Sequence, residues 1–302
     1  MASSSRFSEG LGVDAAERRR RGVGRVLRTI WRRVGYTRSG RVGTIILLLI
    51  VGIALFGPFL APHSIIDVVG LPFVQPSPHA LLGTDFLGRD VLSRFLNGGR
   101  VLLLVAFLST GVAYICGGLV GLLAGYRRGP TGAGIVWVAD VFLSIPAIVL
   151  ALAIIAAMGS GVGIVGFAVT VVLIPPIVRV VRIVTIEASA NEYVEAAIAR
   201  GEKTFNIMVR EILPNIRIPI SADFGIKLSW SIILYASLSF LGFGRTPPAA
   251  DWGLMIAENR DGLLISAWPV LVPALAIALL AISVNLVADS IARSIGRSVG
   301  GR

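Results

Sequence analysis

Long apolar runs alternate with short polar ones along most of this chain. A bilayer core of about 30 Å takes ~20 helical residues to cross. Six runs have the length and character for that: 44–60, 101–125, 132–158, 162–184, 218–243 and 266–287. No charged residue occurs from Val141 to Val178, so only the glycine-rich stretch Gly159-Ser160-Gly161-Val162-Gly163 can turn the chain between the third and fourth runs. The expectation is an all-α integral membrane protein with six transmembrane helices. An even number of spans places both termini on one side.

Composition agrees. The chain has 302 residues, 55% of them hydrophobic and 15% charged, with a mean hydropathy of +0.83. A water-soluble domain of this size carries more surface charge. The net charge of +11 is unevenly spread: residues 1–43 hold eleven Arg against Glu9, Asp14 and Glu17. Loops 61–100 and 244–265 hold five basic and six acidic residues, whereas the alternate loops carry Arg127, Arg128, Arg179, Arg182, Arg200, Lys203, Arg210 and Arg217. Positive residues stay inside, so both termini are expected in the cytoplasm. The expected order is a basic cytoplasmic tail (1–43), a spanning domain (44–290) and a short cytoplasmic tail (291–302). The spanning domain contains an external loop with an amphipathic helix (62–100), read from Thr84 as a possible cap to Gly98 with Asp85–Arg89 and Asp90–Arg94 as i,i+4 pairs, and a cytoplasmic polar segment (185–217). Arg18-Arg19-Arg20-Arg21 is not followed by any groove-reading or base-stacking element, so nucleic acid is not the expected partner. Anionic membrane lipid is. The first span lacks a small-residue cleavage site after Leu60 and reads as uncleaved. Cys116 is the sole cysteine, and His63 and His79 lack companion ligands at metal-binding spacing. No catalytic residue and no metal site is expected.

The longest internal polar segment carries the most information. Asn191 can cap a helix whose first turn holds Glu192 and Glu195, and Arg200-Gly201 can close it, glycine taking the left-handed position. A second helix can start at Thr204, with Phe205, Met208, Val209, Ile212 and Leu213 on one face and Pro214 ending it. Such a helix can lie on lipid or in a protein groove. Five glutamates, from Glu187 to Glu211, outnumber the basic residues of 185–217, which favours a protein.

The pattern Glu195-Ala196-Ala197, three residues, Gly201, then Ile212-Leu213-Pro214 resembles the cytoplasmic coupling motif of ABC-importer permeases. Gly83-Thr84-Asp85-Phe86-Leu87-Gly88-Arg89-Asp90, Ala236-Ser237-Leu238-Ser239-Phe240-Leu241-Gly242-Phe243-Gly244 and Trp252-Gly253 are similar to blocks in the C-type permease subunit of dipeptide and oligopeptide importers. The resemblance covers about residues 40–297 and implies the type I importer permease fold. It implies a homologous B-type permease beside this subunit, two ATPase subunits or domains, and an extracytoplasmic binding protein that delivers substrate. ATP and Mg would be held by the ATPase partners, and this chain would need no cofactor. Glu195, Ala196, Ala197, Gly201, Phe205, Ile212, Leu213 and Pro214 would form the ATPase-coupling surface. Similar permeases carry dipeptides, oligopeptides, nickel, haem or glutathione. The chain departs from the family in having Glu211 where His is common, Pro175-Pro176 before Arg179, and no Asp-Pro close.

Further readings complete the sequence picture. Gly161-Val162-Gly163-Ile164-Val165-Gly166 spells a dinucleotide fingerprint without its strand or acidic partner, and Gly201-Glu202-Lys203-Thr204 lacks the Gly-Lys of a P-loop. Ser231, Tyr235, Ser239 and Asn285 are polar residues within spans, able to line a substrate pathway or to bond neighbouring helices. Asp223 and Lys227, four residues apart, are placed to neutralise each other. A stand-alone secondary transporter would call for carboxylates at mid-membrane in several spans, and the chain does not supply them.

Overall fold

The computed structural model describes residues 38–127 and 129–299. The basic tail up to residue 37 lies outside the described residues, as do Arg128 and the last three positions. Helices carry the fold, and among the described residues the only β contacts are isolated bridges in the 68–90 loop. In order they are α1 (Arg38–Leu60), α2 (Val91–Tyr126), α3 (Pro130–Leu143), α4 (Ala147–Met158), α5 (Val162–Ser189), α6 (Glu192–Ala199) and α7 (Thr204–Asn206). A π-helical turn (Ile207–Ile212) leads into α8 (Leu213–Phe240), followed by α9 (Trp252–Asn259) and α10 (Trp268–Val299).

Four of these, α1, α2, α5 and α10, are long and apolar enough to cross a membrane. The third apolar run is broken: α3 and α4 meet at 87°, so together they make a fifth span or a re-entrant pair. The break sits at Ser144-Ile145-Pro146. Proline has no N–H to donate and crowds the residue before it out of helical geometry. Ser144 closes α3 with its N–H on Asp140 O, and Pro146 opens α4 in an extended conformation (φ −53°, ψ 130°). The fifth apolar run lies in α8, which has the length but carries Arg217, Asp223 and Lys227 and falls outside the four. The expected glycine turn is present, with Gly159 at φ +96° and Gly161 at φ +134° between α4 and α5.

The core is the α2–α5 pair. Gly117, Gly121 and Gly125 form a stripe along which the α5 backbone lies. A Cβ there would come within 3.1 Å of Ile174 O, 2.8 Å of Val178 O and 2.6 Å of Thr185 Cβ. The stripe therefore packs two helices of the same chain, the close approach that small residues permit in lipid. α10 lies antiparallel to both α1 and α8: Arg293 donates to Ser39 Oγ (3.0 Å), and Ser229 donates to Ala281 O (2.9 Å). The start of α1, the start of α8 and the end of α10 thus share one end of the bundle with α6, the hairpin end. The 61–90 loop, the start of α2 and α9 make up the opposite, cap end.

Candidate functional site

At the hairpin end, α6 begins at Asn191, whose backbone is extended (φ −88°, ψ 149°) but whose side chain does not cap it. Its amide donates backwards to Glu187 O (3.1 Å) and Ala188 O (3.0 Å), closing α5. Glu192 and Glu195 occupy the first turn of α6, where the helix dipole favours them. The far end closes as a Schellman motif. Gly201 N–H donates to Ile198 O (2.9 Å) and Glu202 N–H to Ala197 O (3.2 Å). Gly201 sits at φ +75°, and a Cβ there would touch nothing, so backbone conformation and not space demands glycine.

The second arm departs from the sequence expectation twice. Its apolar face is not the α-helical stripe. Leu213 N–H reaches back five residues to Met208 O, so the turn is π-helical. Ile207 and Ile212, five apart, are the buried pair (2% and 0% exposed), while Phe205 is 67% exposed. Nor does Pro214 end the helix. The widened turn places it at the start of the α-helical register, where no N–H is required, and the chain runs on into α8. The second arm is therefore one continuous helix with the long span that follows it. Val194, Ala197, Ile207 and Ile212 bury its inner face. Glu195, Ala196, Ile198, Gly201, Phe205, Leu213 and Pro214 are exposed. Arg200 pairs with Glu202 (2.7 Å) and lies 3.9 Å from Glu211, tying the two arms together across the glycine.

The four candidate pathway residues separate. Ser231, Tyr235 and Ser239 are fully buried and bond within this chain: Ser231 to Ala106 O (3.3 Å), Tyr235 to Asp251 Oδ2 (3.1 Å), and Ser239 to Asp251 Oδ1. Asn285 is exposed, donates to Ser229 Oγ (3.0 Å), and with Ser237 lines an open groove of about 640 Å³ between α8 and α10. Asp223 and Lys227 are paired as expected (3.6 Å), and Tyr114 of α2 also donates to Asp223.

The cap end corrects a further expectation. No helix runs from Thr84. Residues 84–90 are a folded loop, and α2 starts at Val91 with Asp90 as its cap, accepting from Ser93 N (2.9 Å) and Ser93 Oγ (2.6 Å). Asp90 is thereby unavailable to Arg94, which pairs instead with Glu258 (2.6 Å) and Asp85 (3.3 Å). Arg89 completes the group, 2.7 Å from Asp85 and 3.5 Å from Glu258. The side chains of all four are less than a tenth exposed. Burial raises the Glu258 carboxyl above the ordinary glutamate range, against the pull of Arg94 and Arg89. Asp251 caps α9 through Gly253 and Leu254 N–H, and burial raises its carboxyl too, opposed by its four hydrogen bonds. Trp252 stacks on Phe95 (centroids 5.4 Å apart) and lies on Gly98 and Gly99. Sequence reasoning missed Asp251 as a cap, although an acid before Trp252-Gly253-Leu254-Met255 is a readable start signal. It had no way to find Glu258, which lies 164 residues from Arg94.

Comparison with known proteins bears on this arrangement. The family described as "Binding-protein-dependent transport system inner membrane component" matches residues 117–300, and "N-terminal TM domain of oligopeptide transport permease C" matches residues 26–75. The Di/tripeptide transport system permease protein DppC of Pseudomonas aeruginosa is 34% identical over 88% of this chain and 90% of its own length. The Glutathione transport system permease protein GsiD of Pectobacterium atrosepticum is 35% identical over 87% of this chain and 88% of its own. The Peptide transport system permease protein SapC of Escherichia coli is 33% identical over 89% and 93%. Among solved structures, the inward-facing MetNI methionine ABC transporter aligns with a TM-score of 0.57 at 20% identity, over 67% of this chain and 96% of that one. That likeness identifies a shared type I importer permease fold. With the family match covering more than half the chain, and with several apolar helices of spanning length, this is a multi-pass bacterial inner-membrane protein. It belongs to the binding-protein-dependent transport system inner membrane components, as a permease of the C type.

Proposed function

We propose that this chain is one of two permease subunits of an ATP-driven peptide importer, and that it takes its energy through the hairpin end. The observation that carries the reading is the continuity of the hairpin's second arm, from Thr204, with α8 through the π turn. A push on Phe205 is delivered along an unbroken helix to the 28-residue α8, and Arg200 ties the first arm to the second through Glu202 and Glu211. Exposed apolar side chains beside small Ala196 offer a separate ATPase subunit an anchor and room for close approach. ATP and Mg belong to that partner, and this chain is a transport subunit without an ATPase site of its own. The relatives named for peptide and di/tripeptide transport support peptide as cargo. Glutathione, itself a short peptide, has no stronger support.

On this reading α8 is the remaining span, which with the bent α3–α4 pair makes six and puts both termini in the cytoplasm. Inside that span Asp223 and Lys227 offset each other's charge, and the Tyr114 hydroxyl donates to Asp223. The Asn285–Ser237 groove is this subunit's share of the translocation pathway, completed by the B-type permease. An extracytoplasmic binding protein meets the cap end. The test is a Gly201→Pro variant of the assembled transporter: insertion and assembly persist, while peptide uptake and peptide-stimulated ATP hydrolysis part company. Normal peptide-stimulated hydrolysis with normal uptake in that variant overturns the assignment. So does peptide flux driven by an ion gradient in vesicles holding this chain alone.

A further inference from the structure

Beside the pathway groove the bundle holds a second, unfilled space. α1 packs along α10 and α2 but not along α8, and a crevice of about 420 Å³ remains among the four helices. Leu47 and Val51 of α1, Phe107 of α2, Leu228 of α8 and Val284 of α10 line it, and Ser221 is its lone polar lining residue. Ser221 is occupied, donating to Arg217 O (2.6 Å). Water has no polar partners in this open crevice, and its lining regains dispersion contacts only against an apolar group. The exposed lip at Leu55, Leu104 and Phe107 opens it to the surroundings of the bundle. Its occupant has to be an apolar chain arriving from the bilayer.

The charges at one end say which kind of molecule. The crevice runs from Ser221 and Ile291 towards Leu55, and the helices that wall it carry arginine just past the Ser221 end. Arg217 lies one turn before Ser221 on α8, Arg293 two residues beyond Ile291 on α10, and Arg41 six residues before Leu47 on α1. All three are exposed. Arg293 also bridges to Ser39, which holds the ends of α1 and α10 together at the crevice mouth. Guanidinium groups grip phosphate in a planar, bidentate fashion. Three arginines on three helices above an apolar slot fit a phosphate headgroup with its acyl chain below, the arrangement of basic pockets between spanning helices. The basic tail of this same chain is a poor occupant, since its charge repeats that of the mouth.

We propose that this crevice is a specific site for an anionic phospholipid, with its acyl chain wedged between α1 and α8 and its phosphate held by Arg41, Arg217 and Arg293. Because α8 continues the hairpin, the lipid packs against the helix that carries the stroke. The proposal stands apart from the peptide-import reading and can fail without it.

The test uses the assembled transporter in mild detergent, offered equimolar phosphatidylglycerol and phosphatidylcholine and read by native mass spectrometry. The wild type retains phosphatidylglycerol about tenfold over phosphatidylcholine. Arg217→Gln with Arg293→Gln brings that ratio to about one, and Val51→Trp, which fills the slot, removes the retained lipid altogether. Should Val51→Trp not fold, Leu104→Trp at the exposed lip provides the same readout. Equal retention of the two lipids by the wild type overturns the site. So does undiminished phosphatidylglycerol retention when the slot is filled. A Val51→Cys variant whose crosslink captures the second permease subunit instead of lipid overturns it as well. Peptide-stimulated ATP hydrolysis in pure phosphatidylcholine, measured alongside, reports on the import reading separately.

Discussion

The two ends of this bundle are built by opposite means. At the cap end the chain buries two arginines and two carboxylates, locks Trp252 onto α2 at Gly98 and Gly99, and ties Asp251 to α8 through Tyr235 and Ser239. At the hairpin end it leaves glutamates, Ile198 and Phe205 in the open, and closes a short helix with backbone hydrogen bonds around one glycine. A buried ion network holds one geometry, because any partial separation strands a charge in a poor dielectric. A Schellman-capped hairpin on the surface is held locally and keeps its outer face for something else. The contrast teaches where this protein is fixed and where it is meant to be met.

The sharpest way to break that contrast is Arg94→Met. It leaves Asp85 and Glu258 buried with only Arg89 between them, and removing one partner of a buried pair costs about 3–5 kcal/mol. Thermal unfolding in detergent falls accordingly, and a cysteine placed at Gln75, whose amide donates to Ile265 O, becomes reactive as the loop lifts off. An unchanged melting profile would mean that the four charges are solvated and the cap end is no more locked than the hairpin. Next in size is Gly121→Leu, which drives a side chain into Val178 O and costs about 1–3 kcal/mol by overpacking. Gly118→Leu, three residues earlier with open space around it, is the matched control and stays within ~0.5 kcal/mol of wild type. Equal losses from the two would refute the packing role of the stripe.

Much of this was legible in the sequence, for identifiable reasons. Hydropathy finds long buried helices because each residue of a span reports independently on the same solvent. The Gly117-Gly121-Gly125 repeat and the left-handed Gly201 were readable because they obey local rules of spacing and backbone conformation. What escaped was non-local or off-period. A face drawn at 3.6 residues per turn cannot anticipate the five-residue step from Ile207 to Ile212, and so Ile212, placed with Phe205 on the partner-facing stripe, is buried in the bundle while Phe205 stays exposed. Pro214 read as a terminator because the π turn that accommodates it has no sequence signature of its own. Asp90 read as Arg94's partner because four residues apart is the rule inside a helix, and Asp90 is the cap before it. Of the proposed pathway set, only Asn285 reaches an open groove.

Gly201→Ala tests the hairpin's own stability. A methyl group meets no neighbour there, so the whole penalty is the left-handed backbone, ~1–2 kcal/mol, and it stays local. Hydrogen exchange over 198–206 rises several-fold while the melting profile of the bundle moves little. If the whole bundle melts earlier, the hairpin is part of the packed core and the proposed division between fixed and met surfaces is wrong.

The smallest effect on stability is also the most informative. Phe205 is 67% exposed in a segment whose buried residues are Ile207 and Ile212, so Phe205→Ser removes almost no internal packing and shifts unfolding by less than about 0.5 kcal/mol. An exposed aromatic beside a glycine-closed helix is an anchor of the kind that dominates an interface once covered. The same substitution therefore releases the ATPase subunit from the purified complex, while Ile207→Ser unfolds the hairpin and loses both. If Phe205→Ser left co-purification and peptide-stimulated ATP hydrolysis intact, the outward face of this hairpin would be merely wet, and the partner would have to be sought elsewhere on the bundle.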